Sequence, residues 1–197
     1  MLDVLIRGGT VVSPQSSSRF DLGIQDGRIV VFAEENSVDL KAARTIDAHG
    51  MYLVPGGIDA HVHFNVALSP VMRAQSATFG GRAAAFGGTT TFIDFALQSG
   101  EHSLVRAIED KQVELKSDKP DIDYALHAMI TGKATLEVLD EIPDAISGGV
   151  SSFKMFTTFS GGSASGSMFA DDGRIWGVMQ QTAKHGASPW CIARTTA

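Results

Sequence analysis

His61 and His63 stand two positions apart at the end of an apolar, β-prone run, Val54-Pro-Gly-Gly-Ile-Asp-Ala-His-Val-His63. In an extended chain, residues two apart point to the same side, so the two imidazoles can be presented to one point. Neutral imidazole is a favoured ligand for zinc and similar divalent ions. A bare His-x-His is more often a pair of surface histidines. Here it follows a Pro-Gly-Gly turn at the close of a strand, which makes it a plausible half of a metal site.

Lys154 is the second chemical feature, set in the apolar, β-rich segment Val150-Ser-Ser-Phe-Lys-Met-Phe156. Two readings stay open. The lysine lies on a solvated face or snorkels to the rim, or it is buried in a parallel strand covered on both sides, where it needs a partner or altered chemistry. A buried lysine loses its proton easily. A neutral amine can then add carbon dioxide to form a carbamate, an anionic oxygen ligand able to bridge two metals.

Other polar groups fall in the same stretches. Asp59, two residues before His61, is expected to hydrogen-bond the turn rather than act on a ligand. Asp94 in Phe92-Ile-Asp-Phe95 and His127 in Ala125-Leu-His-Ala-Met129 interrupt apolar strands. Each reads as a partner that orients a ligand or as a satisfied polar group of the core. His49, His102 and His185 lie in turns or at helix ends and receive no site role. No Gly-x-Ser-x-Gly elbow is present, and Cys191 has no credible neighbouring base, so serine or cysteine nucleophiles are poor readings.

These residues need a scaffold, and the chain supplies one with two rhythms. Up to about residue 54 it reads as short strands: Val4–Arg7, Gly9–Val12, Asp21–Gln25, Arg28–Phe32 and Arg44–Ala48. Asp26-Gly27 is a strong two-residue hairpin signal, and the loop-like Ser13–Ser18 separates two of the strands. This region is expected to be an antiparallel module, part of a β-sandwich.

From Met51 strands alternate with helices. Strands are expected over Tyr52–Val54, Ile58–His63, Thr89–Ala96, Ile122–Met129 and Ser151–Phe156. Helices are expected from about Ser69 to Phe86, Ser103 to Ser117, Thr135 to Ile146 with an interruption at Pro143, and Asp171 to His185. Gly87-Gly88 ends the first helix. Ser103 caps the second, whose apolar side carries Leu104, Ala107, Ile108, Lys111 and Leu115. Repeated β–α units imply a parallel sheet, open or closed into a barrel. No dinucleotide fingerprint or phosphate loop follows any strand, which weakens the open nucleotide-binding alternative.

Composition narrows the function classes. The 197 residues are 44% apolar and 19% charged, ordinary for a soluble globular protein, and the net charge of −6 argues against nucleic acid. No run of apolar residues is long enough to span a membrane. The N-terminus does not resemble a secretory signal. Cys191 is the single cysteine, which fits a cytoplasmic location.

Taken together, these residues resemble the cyclic amidohydrolases: hydantoinases, dihydropyrimidinases, allantoinases and dihydroorotases. The likeness covers nearly all of residues 1–187. It rests on the N-terminal Gly-Thr-Val-Val module, the Pro-Gly-Gly-Ile-Asp-x-His-x-His strand and Arg82-Ala-Ala-Ala-Phe-Gly-Gly-Thr-Thr90 with Asp94 beyond. Ile122-Asp-Tyr-x-x-His127 and Phe153-Lys-Met-Phe156 complete it. The words are individually weak, but their order and spacing are specific.

The resemblance implies an α/β fold, the first half of a metal-dependent (β/α)8 TIM-type barrel over 55–187, preceded by a β-sandwich portion over 1–54. It implies two divalent metal ions, zinc by preference, with His61, His63 and a carbamylated Lys154 as ligands. The expected reaction is hydrolytic opening of a cyclic amide or imide, hydantoin- or dihydropyrimidine-like, in a cytoplasmic homo-oligomer. The partner is a small-molecule substrate, with neither nucleic acid nor membrane involved. In hydantoinases and dihydropyrimidinases a tyrosine five residues after the bridging lysine helps hold the oxyanion. Here that place is Phe159, which has no hydrogen to donate; Thr157 or Thr158 are the candidates to substitute. The alternative is a non-catalytic scaffold of the same fold, like the collapsin response mediator proteins, which lack the metal ligands.

By the same resemblance, the remaining metal histidines and the catalytic aspartate belong to strands five, six and eight, beyond this chain. The 197-residue chain alone is therefore expected to be inactive. Residues 188–197 show no strand pattern where strand five belongs. Codons compatible with Pro189–Ala197, read in a shifted frame, also spell Met-Val-His-Cys-Glu-Asp-Asp-Cys, a credible strand with the expected histidine. The tail is thus expected to be frame-shifted. The encoding nucleotide sequence is the test: codons unable to give the histidine-bearing strand in another frame would reject this reading.

Overall fold

The structure, a computed structural model, describes residues 1–69, 71–157 and 168–192. Two compact units are present, Met1–Pro55 and Gly56–Ala197.

The first unit is one mixed sheet. β1 (Leu2–Val12) pairs antiparallel with β2 (Ser17–Gln25), and β2 pairs antiparallel with β3 (Arg28–Glu34). Asp26 and Gly27 both have positive φ, 51° and 71°, as the primed hairpin turn demands. The sheet is not wholly antiparallel as expected. β4 (Ala42–Asp47) and β5 (Tyr52–Leu53) both run parallel to β1 on the side away from β2. The reason is the bulge between Ile6 and Gly9, which lets β1 keep β4 beside its first half and β5 beside its second. Tyr52–Leu53 therefore completes this sheet rather than opening the barrel. The expected strands Val4–Arg7 and Gly9–Val12 are one strand carrying this bulge. At its centre Gly8 adopts φ 66°, and its N–H donates to the buried carboxylate of Asp21 at 2.9 Å.

The second unit is a five-stranded parallel sheet of β6 (Gly57–Asp59), β9 (Thr89–Leu97), β10 (Asp123–Met129), β11 (Ser152–Phe156) and β12 (Ser188–Ile192). Each strand lies beside the next in the chain, and every pairing is parallel. A doubly wound sheet reverses its strand order at a switch point; this one does not, the order of a barrel wall. The helices are α1 (Ala77–Phe86), α2 (Leu104–Asp118), α3 (Leu136–Asp140), α4 (Ile142–Ser147) and α5 (Asp172–His185). Leu104, Ile108 and Leu115 of α2, Val138 and Ile142, and Val178 of α5 pack against Phe92, Ala96, Leu126, Ala128, Phe153 and Met155.

Three expectations change. The first helix begins at Ala77 rather than near Ser69. β7 (Ala67–Ser69) and β8 (Met72–Arg73) form a hairpin, and the Ser76 hydroxyl accepts from the Phe79 N–H to start the helix. The third helix is two, because Pro143 is tolerated in a first turn but not in a helix interior, so α4 starts afresh at Ile142. Ser188–Ile192, without a strand pattern, is nonetheless a strand aligned with β11. At the sheet edge, Pro189 can lack its N–H without breaking a central ladder. Among the described residues no helix is long and apolar enough to cross a membrane.

In the first unit the His49 ring bridges two carboxylates, with Nδ1 at Asp47 and Nε2 2.8 Å from Glu35, itself 3.8 Å from Arg19. Only an imidazolium can donate from both nitrogens. Its pKa is raised, first by the Asp47 hydrogen bond and then by Glu35. This contribution to stability should be fully present below the ordinary histidine value and fade as pH rises through the higher folded one. An NMR titration should place His49 above 6.5, the ordinary value, and Glu35→Gln should lower the midpoint. A midpoint unmoved by that substitution would reject the bridge.

Candidate functional site

Both histidines follow the C-terminal end of β6, in a segment kept extended by the Val62 N–H donating to the Ile93 carbonyl at 3.2 Å. Their Nε2 atoms are 3.3 Å apart. Lys154 comes from the middle of β11, 1% exposed, and its Nζ lies 3.1 Å from His61 Nε2. The solvated-face reading of Lys154 is therefore overturned. The three residues meet although 93 positions separate His61 from Lys154. Phe95 forms the floor, its ring stacked on His63 at 4.6 Å and lying under Lys154 Nζ at 4.0 Å.

Three basic nitrogens thus converge, and among the described residues no carboxylate pairs with Lys154. Desolvation lowers the Lys154 pKa to about 8. His63 is lowered to about 4, by desolvation first and then by the Lys154 charge. His61 is lowered for the same two reasons. All three are driven toward their neutral forms, which carry the lone pairs a metal ion needs. A divalent cation would resolve the convergence, so these donors fit a metal. Among the described residues, histidine, cysteine and acidic side chains alone form no group of three suited to one; the third donor here is the lysine.

The surrounding polar groups act on backbone. Asp59 accepts from the His61 N–H at 3.1 Å, the expected turn role. His127 Nε2 faces the Ala60 carbonyl at 3.0 Å, and its Nδ1 faces the Ser152 hydroxyl. A carbonyl only accepts, so Nε2 carries the proton and Nδ1 accepts from Ser152. Asp94, buried, takes the Phe64 N–H at 3.3 Å and Lys111 Nζ at 2.9 Å. Neither Asp94 nor His127 bonds a ring nitrogen of His61 or His63.

Two groups were not picked out from the sequence. Lys111 was visible as a charge on the apolar side of α2, at helical spacing with Leu104, Ile108 and Leu115. Trp190 of β12 aligns with Lys154, and its ring centroid lies 5.6 Å from that of His61 and 5.4 Å from that of His127. Ser99, His102, Thr131 and Lys133 line a cavity of about 620 Å³ beyond the C-terminal ends of β9 and β10, the end at which barrel enzymes carry their sites. Phe159 and Thr158 lie outside the described residues.

This fold and donor set place the chain in a class. Residues 52–147 match the amidohydrolase family, and the chain belongs to it. It is 36% identical to the D-hydantoinase of Streptomyces coelicolor over 185 residues, which is 92% of this chain and 38% of that protein. It is 38% identical to the D-hydantoinase of Geobacillus stearothermophilus over 93% of this chain and 37% of that one. A solved D-hydantoinase structure matches with a TM-score of 0.86 at 33% identity, over 98% of this chain and 40% of the other. The dihydropyrimidinase of Brevibacillus agri matches at 0.85 and 31%, over 99% and 40%. The parallel sheet is thereby a portion of an amidohydrolase barrel, and the chain spans about two fifths of these relatives' length.

Lys154 gives a test of the site's electrostatics. Its folded pKa of about 8 lies below the ordinary 10.5, so the unfolded chain binds more protons between those values. Stability of the metal-free protein should then rise with pH across that window. Lys154→Met should abolish the rise and lift the melting temperature at pH 7 by a few degrees. A flat wild-type melting curve across the window would reject a desolvated amine.

Proposed function

We propose that this chain carries the metal-binding part of a hydrolase that opens cyclic amides or imides of the hydantoin or dihydropyrimidine type. The observation that carries the reading is the meeting of exposed His61, half-buried His63 and buried Lys154, with no carboxylate paired to the lysine among the described residues, in a chain similar to D-hydantoinases. His61 and His63 would hold the metal through Nε2. Lys154, its pKa lowered to about 8 by desolvation, would be carried as its carbamate and bridge two divalent ions, zinc being one that such donors suit. Bound there, the ions would supply Lewis acidity to the ring carbonyl and a water of lowered pKa.

The chain's own residues supply the rest. Phe95 lies against the amine and shields it from water, and His127 and Asp59 hold the carbonyl and the N–H of the peptide unit that leads into His61. We also propose that residues 188–197 are read in a shifted frame, since the alternative frame puts a histidine into the strand that here bears Trp190.

The experiment uses the protein at the full length of its relatives. Lys154→Ala should lose much of the bound metal, and turnover of hydantoin or dihydrouracil should fall by more than the roughly 10–100-fold typical of losing an outer partner. A short carboxylic acid added to the variant should restore part of it. Unchanged metal content and activity would reject Lys154 as a ligand. Wild-type protein without stoichiometric metal would instead favour the non-catalytic scaffold.

A further inference from the structure

The chain leaves β6 at Asp59, so the stretch that presents His61 and His63 has little ladder of its own. Its backbone is held from outside, group by group. The Ala60 carbonyl accepts from His127, the His61 N–H reaches Asp59, and the Val62 N–H reaches the Ile93 carbonyl. At Phe64 both backbone groups are taken by one buried pair. The N–H donates to Asp94 Oδ2 at 3.3 Å, and the carbonyl accepts from Lys111 Nζ at 3.0 Å.

That pair is built for fixity. Asp94 is 0% exposed and Lys111 9%, with 2.9 Å between them. Besides Asp94 and the Phe64 carbonyl, Lys111 Nζ bonds Glu114 at 2.7 Å, so three donors meet three acceptors. Asp94 Oδ1 also takes the N–H of Phe95, whose ring lies against both histidines. Just beyond, Asn65 donates to Glu114 and Asp118 of the same helix. The segment is thus pinned to α2 as well as to the sheet.

We infer that Asp94 and Lys111 are positioning residues for the metal-binding histidines: by clamping both backbone groups of Phe64 they set where His63 and His61 present their nitrogens. The inference rests on the metal reading given above. A rival explanation is that the pair merely secures α2 to the sheet.

The double substitution Asp94→Leu with Lys111→Met separates the two. Replacing a buried ion pair by apolar side chains of similar volume often leaves stability unchanged or raised. The Phe64 N–H and carbonyl would nevertheless lose their partners. In the full-length protein, the melting temperature should stay within a few degrees of wild type. Affinity for Co²⁺, followed by its visible absorption, should fall about 10–100-fold, the range for lost outer partners. In the metal-free protein, ¹³C-labelled His61 and His63 should pass from one set of ring resonances to several. Wild-type Co²⁺ affinity with single ring resonances in the double variant would overturn the positioning role. If wild-type protein itself binds no Co²⁺ through these histidines, the metal reading fails, and the ring resonances alone decide the positioning role. If the double variant does not fold, Lys111→Arg carries the same measurements. It keeps the charge but replaces a point donor by a planar fork, and unchanged affinity and resonances there would equally overturn the inference.

Discussion

The site depends on the two-residue alternation of the parallel strands. In β9, Phe92, Asp94 and Ala96 turn to the helices, while Ile93 and Phe95 turn to the opposite face. Register carries this parity across the sheet, with His127 beside Phe95 and Trp190 beside Lys154. A slip of one residue in β11 would deliver Phe153 to the histidines and Lys154 to the helix layer. The helix-facing rows are apolar and interlocked, so the core that stabilises the fold also fixes the parity that assembles the site. Phe92 and Phe153 belong to this helix-facing layer.

Two buried lysines in this unit show how neighbours decide chemistry. Lys111 sits with Asp94 and Glu114 in a satisfied ionic knot. Lys154 sits over aromatic rings and beside histidines, with desolvation opposing its charge. The first has the partners that make a buried charge tolerable. The second has surroundings that favour a free amine and leave it chemically available. Asp94 feels the tension from the other side: burial raises its pKa, and the Lys111 hydrogen bond pulls against that.

Much of this was legible in the sequence. The β–α rhythm, the Asp26-Gly27 turn and the Ser103 cap follow from local spacing and turn chemistry, whereas the joining of Lys154 to His61 and His63, 93 positions away from His61, was expected only through the family resemblance. What was not legible depends on contacts between distant segments. The parallel docking of β4 and β5 on β1 needs the bulge at Gly8. The hairpin before α1 is closed by the Asn65 and Ala74 N–H groups bonding the Gln75 and Val66 carbonyls, which no apolar period announces. Asp94 and His127 read correctly as polar groups needing partners, but that those partners are backbone atoms of the histidine segment is a fact of tertiary register. Lys111 did leave a trace, a charge where α2 should be apolar.

Trp190 has a photophysical consequence. Its indole lies 5.2 Å from the Lys154 amine by ring centroid and near two imidazoles, whereas Trp176 on α5 is 61% exposed. The chain has two tryptophans, one half-buried among titratable groups and one facing solvent. The less exposed indole emits toward the blue of the outer one. The half-buried indole is an intrinsic optical probe of charge at the histidine–lysine cluster, and the outer one serves as its internal reference.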